Sequence, residues 1–199
     1  MKKIIIFLNS LTILLFLSLL YISFEPTIIF KKCKPSTFKV LTYNEKDALI
    51  GSGSGFFISK NGLAITKYHV IRKKYKTRIL LNNKLYDSSI IKTSEDRDLA
   101  LLQVDIKNNK FLKIKKDHPR INENIYIFGY PRGFDSFSKG IICSTGPKAF
   151  ITDAMMNLGS SGGAVVDSKG CIIGVCNSID NQISVATNNI DLLEFLKSK

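Results

Sequence analysis

The stretch NLGSSGGAV, residues 157–165, places two adjacent serines among three glycines, between two apolar, β-rich runs. Linkers rarely lie between core strands, so this pattern predicts a constrained turn that presents one serine. A serine hydroxyl is inert at neutral pH unless a neighbouring base takes its proton, and the base works best when a carboxylate fixes its tautomer. Serine chemistry here therefore requires a histidine and an acid elsewhere in the chain.

Histidine is the easiest partner to search for, because the chain contains only two. His118, in KKDHPR, lies in a charged connection and is expected to be a solvated surface residue. His69, in GLAITKYHVIRK, follows an apolar strand, and Asp98, in SEDRDLALLQVD, opens another, where an unpaired acid is costly to bury. Asp105 and Asp153 are competing acids. The residues favour His69 with Asp98, while a purely turn-capping role for Asp98 stays open.

The elements that must position these residues are mostly strands. Short apolar segments such as TRILLNNKLY, LALLQVD, NIYIFGY and GCIIGVCNS are separated by turn signals such as KNG and DSKG. This spacing is typical of antiparallel sandwiches and barrels. Helical periodicity is clear in the tail, NNIDLLEFLKSK. The pattern predicts an all-β architecture in two halves, followed by a C-terminal helix.

Three motifs, TKYHV, DLALL and TDAMMNLGSSGGAVV, occur in an order that resembles the HtrA/Deg branch of the trypsin-like serine proteases. That family has T-x-x-H-V, D-L-A and T-D-A-x-x-N-x-G-x-S-G-G, and the similarity extends over residues 50–179. The resemblance implies two antiparallel six-stranded β-barrels with an active site in the cleft between them. The protease domain would span residues 39–199, with barrels at about 39–107 and 120–190, and no PDZ domain is expected after it.

The resemblance also implies a role for each matching residue. Ser161, the serine followed by two glycines, would be the nucleophile, His69 the general base and acid, and Asp98 the residue that orients it. The backbone N–H groups of Gly159 and Ser161 would form the oxyanion hole. We expect a serine endopeptidase that acts through an acyl-enzyme on unfolded or partner polypeptides, without a metal or cofactor.

Five residues are expected near the pocket that binds the substrate side chain at the cleaved bond. They are Asp153, Met155, Leu158, Asn177 and Ser178. A mainly apolar pocket would favour medium-sized aliphatic side chains. If Asp153 turned inward, it would favour basic ones.

The turn departs from its relatives at two positions. Ser160 stands where digestive proteases have an activating aspartate and where the HtrA/Deg family has asparagine, and Leu158 replaces the family's proline. These changes predict a loosely held turn with low basal activity, which substrate, self-association or a membrane surface would raise.

Two other functions use the same residues. A catalytically silent protease-like domain could bind peptides or a partner by strand addition, although the complete set of His69, Asp98 and Ser161 disfavours it. An esterase or a dedicated processing enzyme could use the same triad.

The N-terminal residues 1–24 have a different character. After Lys2 and Lys3, residues 4–24 contain no charged side chain, and as a helix they span about 31 Å, close to the hydrocarbon thickness of a bilayer. No A-x-A-like cleavage site follows, so an uncleaved signal anchor is favoured over a signal peptide. We expect a membrane-anchored protein with its domain outside the cytoplasm, periplasmic or extracellular, after a basic spacer at residues 25–38. Cleavage of the N-terminal segment would instead give a secreted protein.

Composition limits the remaining classes of function. The 199 residues carry a net charge of +13, mostly from lysines spread along loops, and no nucleic-acid-binding motif accompanies them. The four cysteines, Cys33, Cys143, Cys171 and Cys176, lack the paired C-x-x-C spacing of zinc sites. Neither nucleic acid nor metal is therefore expected as a ligand.

Overall fold

Short, half-buried strands close into two barrels in the computed structural model, which describes residues 2–72, 75–107, 109–180 and 183–198. The strands of barrel one are β1 (Thr37–Tyr43), β2 (Leu49–Phe57), β3 (Leu63–Thr66), β4 (Lys76–Leu81), β5 (Lys84–Ser94) and β6 (Leu99–Val104). Those of barrel two are β7 (Asn124–Gly129), β8 (Ser136–Thr145), β9 (Ala149–Thr152), β10 (Ala164–Asp167), β11 (Ile172–Asp180) and β12 (Ile183–Asn188). The helices are α1 (Lys2–Cys33), α2 (Tyr68–Ile71) and α3 (Asn189–Lys197).

Both barrels close through antiparallel pairing of neighbouring strands. The order around barrel one is β1-β2-β3-β6-β5-β4, and around barrel two it is β10-β11-β12-β9-β8-β7. In β4 the burial alternates, with Thr77, Ile79 and Leu81 inside, as the period of two in an extended strand requires. The predicted pair of six-stranded barrels and the C-terminal helix are confirmed.

The C-terminal helix α3 packs against the second barrel. Its N-terminus is capped by Asn188, whose side-chain oxygen accepts a hydrogen bond from the Asp191 N–H at 2.9 Å. Leu192 and Phe195 are fully buried in the core cluster that also contains residues of barrel two. The apolar face predicted from the tail sequence therefore packs on the domain.

The N-terminal helix α1 is bent and extends beyond the apolar run. Two segments, Asn9–Tyr21 and Ser23–Ser36, meet at 47°, and Pro26 has no N–H to donate to the carbonyl four residues earlier, at the bend. Within the ranges that the structure describes, no single straight helix has the length and apolar character of a membrane span, although this bent pair has them together. A transmembrane helix is thus not confirmed.

The last turns of α1, within the predicted spacer, pack on barrel two. Ile29 is 3% exposed and Cys33 is fully buried, and both join the main core cluster. Phe30 lies edge-on to Phe137 at 5.3 Å between ring centroids. Lys34 donates a hydrogen bond to the carboxylate of Asp135 at 2.9 Å. The segment that leads from the N-terminal helix into β1 is therefore part of the folded domain.

Candidate active site

His69 and Asp98 are brought together by the pairing of two strands. β3 and β6 are antiparallel neighbours, with Thr66 opposite Ala100. His69 lies in the single turn of α2, three residues after Thr66, and Asp98 lies two residues before Ala100. Asp98 has φ of 50°, a left-handed conformation that aspartate tolerates better than most residues. The predicted base and its acid therefore meet at the end of barrel one.

Asp98 holds both the ring and the backbone of His69. Its Oδ2 lies 2.7 Å from His69 Nδ1, and its Oδ1 accepts a hydrogen bond from the His69 backbone N–H at 2.8 Å. Partial burial acts to raise the pKa of Asp98, but these two hydrogen bonds and the nearby Lys67 ammonium outweigh it and hold the pKa below its usual value. A charged Asp98 favours the tautomer with the proton on Nδ1, which leaves Nε2 free to accept a proton.

The turn that contains Ser161 packs against the segment leading to His69. The Ser54 N–H, on β2, donates to the Ser161 carbonyl at 2.8 Å, and the Gly162 N–H donates to the Cys176 carbonyl at 2.9 Å. Gly162 has φ of 85°, and a Cβ there would lie 2.2 Å from the Ser54 carbonyl oxygen and 3.0 Å from the Lys67 nitrogen. A side chain at position 162 would therefore push the serine turn away from barrel one.

The predicted oxyanion turn leaves two N–H groups available. In the part of the chain that the structure describes, the backbone N–H groups of Gly159 and Ser161 donate no hydrogen bond. The Gly159 carbonyl is held by the Ser54 hydroxyl at 2.7 Å, and the Ser54 oxygen accepts in turn from the Tyr130 N–H at 2.9 Å. Gly159 has φ of 99°, where a side chain would be strained. The Leu158 carbonyl, in the same peptide unit as the Gly159 N–H, accepts from the Arg132 N–H at 3.0 Å, which fixes the direction of an N–H that could bind a developing negative charge.

The Ser160 side chain is bonded within the turn, whereas the Ser161 hydroxyl makes no hydrogen bond among the described residues, with His69 or any other group. The Ser160 hydroxyl accepts from the Asn157 N–H at 3.2 Å, and the Ser160 N–H donates to the Asn157 carbonyl at 2.8 Å. The Arg132 N–H also donates to the Leu158 carbonyl at 3.0 Å. These bonds brace the turn at the two positions where it departs from the family, while low basal activity stays a prediction.

Asp153 and Met155 were both expected near the specificity pocket. The Asp153 carboxylate accepts a hydrogen bond from the Ile141 N–H, on β8, at 2.7 Å. Met155 is 59% exposed, whereas the next residue, Met156, is 3% exposed and packs in the core of barrel two. Asp153 is thus engaged by the backbone of a neighbouring strand, and Met155 faces solvent.

The other three expected pocket residues are placed as follows. Leu158 is 77% exposed on the serine turn. Asn177, on β11, is partly buried and accepts a hydrogen bond from the Thr187 hydroxyl at 3.3 Å. Ser178 also lies on β11, and its side chain is outside the described residues.

The competing candidates lie apart from the His69–Asp98 pair. His118 is exposed in the connection between the barrels. Asp105 is exposed just after β6, and its N–H donates to the Asp87 carbonyl at 3.1 Å. Neither makes a hydrogen bond with His69 or Ser161 among the described residues.

Two residues at the site were not predicted from the sequence. Ser54 is fully buried and joins barrel one to the serine turn through the Gly159 carbonyl, and Lys67 is fully buried beside Asp98. The alternation in GSGSGFF indicates which face of β2 each residue occupies, but it does not identify Gly159 as the partner of Ser54. For Lys67, the one signal in the sequence is that a lysine stands inside the motif TKYHV, next to the predicted base.

Comparison with known proteins agrees with this geometry. The sequence profile described as "Trypsin-like peptidase domain" matches residues 53–175. The chain belongs to the trypsin-like peptidase domain family. The match contains His69, Asp98 and Ser161, and it confirms the resemblance from which their roles were predicted.

Several proteases are similar to this chain. It is 32% identical to Protease Do-like 1, chloroplastic, of Arabidopsis thaliana, over 65% of this chain and 33% of that protein. It is 30% identical to Serine protease HTRA1A of Danio rerio, over 69% of this chain and 32% of that protein. It is 33% identical to a probable periplasmic serine endoprotease DegP-like of Pseudomonas putida, over 64% of this chain and 29% of that protein.

A solved structure shares the fold. The crystal structure of the serine endoprotease from Yersinia pestis superposes with a TM-score of 0.78 at 25% identity, and the match covers 86% of this chain and 65% of that chain. The peptidase domain spans about a third of the length of the curated relatives that it matches.

Proposed function

We propose that this protein is a serine endopeptidase that cleaves unfolded or partner polypeptides. The contact that supports this most directly is the 2.7 Å approach of Asp98 Oδ2 to His69 Nδ1, close to a serine turn in which the N–H groups of Gly159 and Ser161 have no partner among the described residues. The names of the three relatives, one a protease, one a serine protease and one a serine endoprotease, support the same class of reaction.

In the proposed mechanism, His69 Nε2 takes the proton of the Ser161 hydroxyl as its oxygen attacks the carbonyl carbon of the scissile peptide bond. The N–H groups of Gly159 and Ser161 stabilise the negative oxygen of the tetrahedral intermediate. The imidazolium then gives its proton to the leaving amine, and an acyl-enzyme forms. A water molecule, activated by the same imidazole, releases the acid product. Asp98 stays ionised throughout and favours the imidazolium that forms twice in the cycle.

The specificity of the proposed enzyme follows from its pocket residues. With the Asp153 carboxylate bonded to the Ile141 N–H at 2.7 Å, a negative pocket for basic side chains is disfavoured. We propose that the pocket is bordered by Leu158 and Asn177 and that the enzyme prefers medium-sized aliphatic side chains before the cleaved bond. Initial rates on peptides that differ only in the residue before the cleaved bond test this. A preference for lysine or arginine would contradict it.

The proposed location is a membrane, with the peptidase domain outside the cytoplasm. Lys2 and Lys3 before the uncharged run at 4–24 support that orientation, and so does the word periplasmic in the name of one relative. The uncharged run at residues 4–24 would form the anchor, ahead of the last turns of α1, which pack on barrel two. We expect the protein to fractionate with membranes and to keep its N-terminus. An intact-mass measurement showing that the mature chain begins after residue 20 would contradict the anchor.

The decisive experiment is labelling of the full-length chain with a fluorophosphonate, together with cleavage of an unfolded protein. We expect Ser161→Ala to abolish both, since loss of a triad member costs about 10⁴-fold or more in rate. Ser160→Ala is the matched control, one residue away, and should retain substantial labelling. Equal and complete loss in both variants would refute the choice of nucleophile. Unlabelled wild type would favour the silent, peptide-binding alternative.

A further inference from the structure

A buried lysine lies directly beside the His69–Asp98 pair. The side chain of Lys67 is fully buried, a state that lysine adopts almost exclusively when it is paired. Its Nζ donates a hydrogen bond to the Thr187 hydroxyl at 2.5 Å and lies 3.8 Å from Asp98 Oδ2. Lys67 follows β3 of barrel one, whereas Thr187 is on β12 of barrel two. The ammonium therefore lies in the contact between the barrels, next to the acid.

The hydroxyl of Thr187 is used in both directions. It accepts from Lys67 and donates to the Asn177 side-chain oxygen at 3.3 Å, on β11. Because the Thr187 hydroxyl oxygen accepts the hydrogen bond of the lysine, this threonine fixes where the ammonium lies. The position of the charge is thus set by the second barrel and not by the flexible lysine side chain.

We propose that Lys67 is a positioning residue, whose ammonium holds the Asp98 carboxylate against His69 and sets the pH range in which His69 is a neutral base. Its catalytic consequence rests on the proposed peptidase function. Its electrostatic effect on His69 does not.

The effect on His69 follows from distance and sign. The contacts of 3.8 Å from Nζ to Asp98 Oδ2 and 2.7 Å from there to His69 Nδ1 keep the ammonium within about 6.5 Å of the ring nitrogen. A cation opposes protonation of the imidazole and so lowers its pKa. At that distance, and with an effective dielectric constant between about 80 and about 20, one positive charge changes the pKa of an imidazole by about 0.5 to 2 units. The ammonium thus acts against the Asp98 carboxylate, which favours the protonated imidazole.

The other ionisable groups that face Lys67 leave this cation in place at neutral pH. Asp98 precedes β6, Cys176 lies on β11 and Asp191 lies in the first turn of α3. Burial raises the pKa of the Cys176 thiol to about 12, so it is uncharged, and Asp191 contacts Arg97. Burial lowers the pKa of Lys67 to about 8, although the carboxylates of Asp98 and Asp191 favour its charged form. The ammonium therefore titrates just above neutrality.

The test is the titration of His69 in the full-length chain, labelled with ¹³C-histidine, solubilised in non-ionic detergent and measured by NMR. Because the chain has two histidines, His118→Gln in every sample leaves one signal to follow. In Lys67→Met we expect the pKa of His69 to rise by about 0.5 to 2 units, and the small second inflection near pH 8 to vanish. Lys113→Met removes the same charge from an exposed position and is the matched control.

An unchanged His69 pKa in Lys67→Met would overturn the proposal, and so would an equal shift in Lys113→Met. If Lys67→Met does not fold, Thr187→Val serves instead. It removes the acceptor of the ammonium, so we expect the inflection of Lys67 to move below pH 8 and the pKa of His69 to rise. Unchanged values in a folded Thr187→Val protein would equally overturn it.

Kinetics separate this proposal from the proposed function. The acid limb of the fluorophosphonate labelling rate should shift to higher pH in Lys67→Met by the same amount as the His69 titration, because only neutral histidine acts as a base. A merely structural lysine would lower the rate without moving the limb. If Lys67→Met is labelled but the acid limb of its labelling rate does not move, only the role of Lys67 is refuted. If the His69 titration shifts but the protein is not labelled at any pH, only the peptidase function is refuted.

Discussion

Replacing Lys67 by methionine should make the protein more stable at neutral pH, and the gain should disappear in alkali. The pKa of this lysine falls from 10.5 to about 8 on folding, chiefly through burial. Between these values the unfolded chain keeps a proton that the folded chain has lost, so the stability of the wild type rises with pH. Below about pH 8 both states are protonated, and folding bears the full cost of the buried charge.

The size of the effect follows from the shift. Each pKa unit corresponds to about 1.4 kcal/mol, so a shift of this size costs on the order of 3 kcal/mol. Methionine has a similar volume and no charge, so Lys67→Met should be more stable than the wild type by up to this amount at pH 7. Above pH 10.5, where the lysine is neutral in both states, the difference should approach zero.

Urea unfolding of the full-length chain at a series of pH values measures this difference. Ser161→Ala in both proteins prevents self-cleavage, and circular dichroism is the appropriate signal because the chain has no tryptophan. Other lysines and tyrosines also titrate in this range, so the informative quantity is variant minus wild type. A difference that stays constant from pH 7 to 10.5 would refute the argument that the buried ammonium destabilises the fold.

Three further changes test the site. Asp98→Asn should lower the fluorophosphonate labelling rate by about 10⁴-fold, because the imidazole loses its fixed tautomer. A comparable loss in Asp105→Asn, with Asp98→Asn active, would identify a different acid. Ser54→Ala removes the hydroxyl that holds the predicted oxyanion turn. Loss of a buried hydrogen-bond partner costs about 1 to 3 kcal/mol, so labelling should slow by about fivefold to about 150-fold. The exposed Ser52→Ala, on the same strand, should label normally, and equal rates in the two would show that the hydroxyl does not matter. Gly159→Ala should lose at least about 10²-fold, the typical worth of one oxyanion donor, because its Cβ would lie 2.8 Å from a carbonyl oxygen. Unimpaired labelling would place the oxyanion hole elsewhere.

The sequence by itself determined the family, the two barrels and the residues predicted to perform the chemistry. A serine nucleophile needs a base and an acid, and a chain with two histidines leaves little choice of base. Alternating apolar residues and turn signals constrain the strands locally, so the all-β architecture could be predicted before the pairing was known. The glycines of NLGSSGGAV could be interpreted in the same way, since backbone shape at a tight turn restricts the residue type directly.

The docking of α1 was decided by the tertiary structure. Residues 25–38 are basic and contain prolines, a composition that predicts a spacer. Ile29 and Cys33 are nevertheless buried, because barrel two offers an apolar surface at the point where the helix ends. The orientation of Asp153 was open for a similar reason, since the Ile141 N–H that binds it becomes a neighbour only when β8 and β9 pair.

The environment of Lys67 depends most completely on the tertiary structure. Its hydrogen-bond acceptor, Thr187, is 120 residues away in the chain and belongs to the other barrel. Local sequence places the lysine between Thr66 and Tyr68, and at such a position the same residue could equally extend into water. Whether a charge is buried depends on which groups pack over it. For Lys67 those groups come from the second barrel, so its burial and its lowered pKa arise only when the two barrels are assembled.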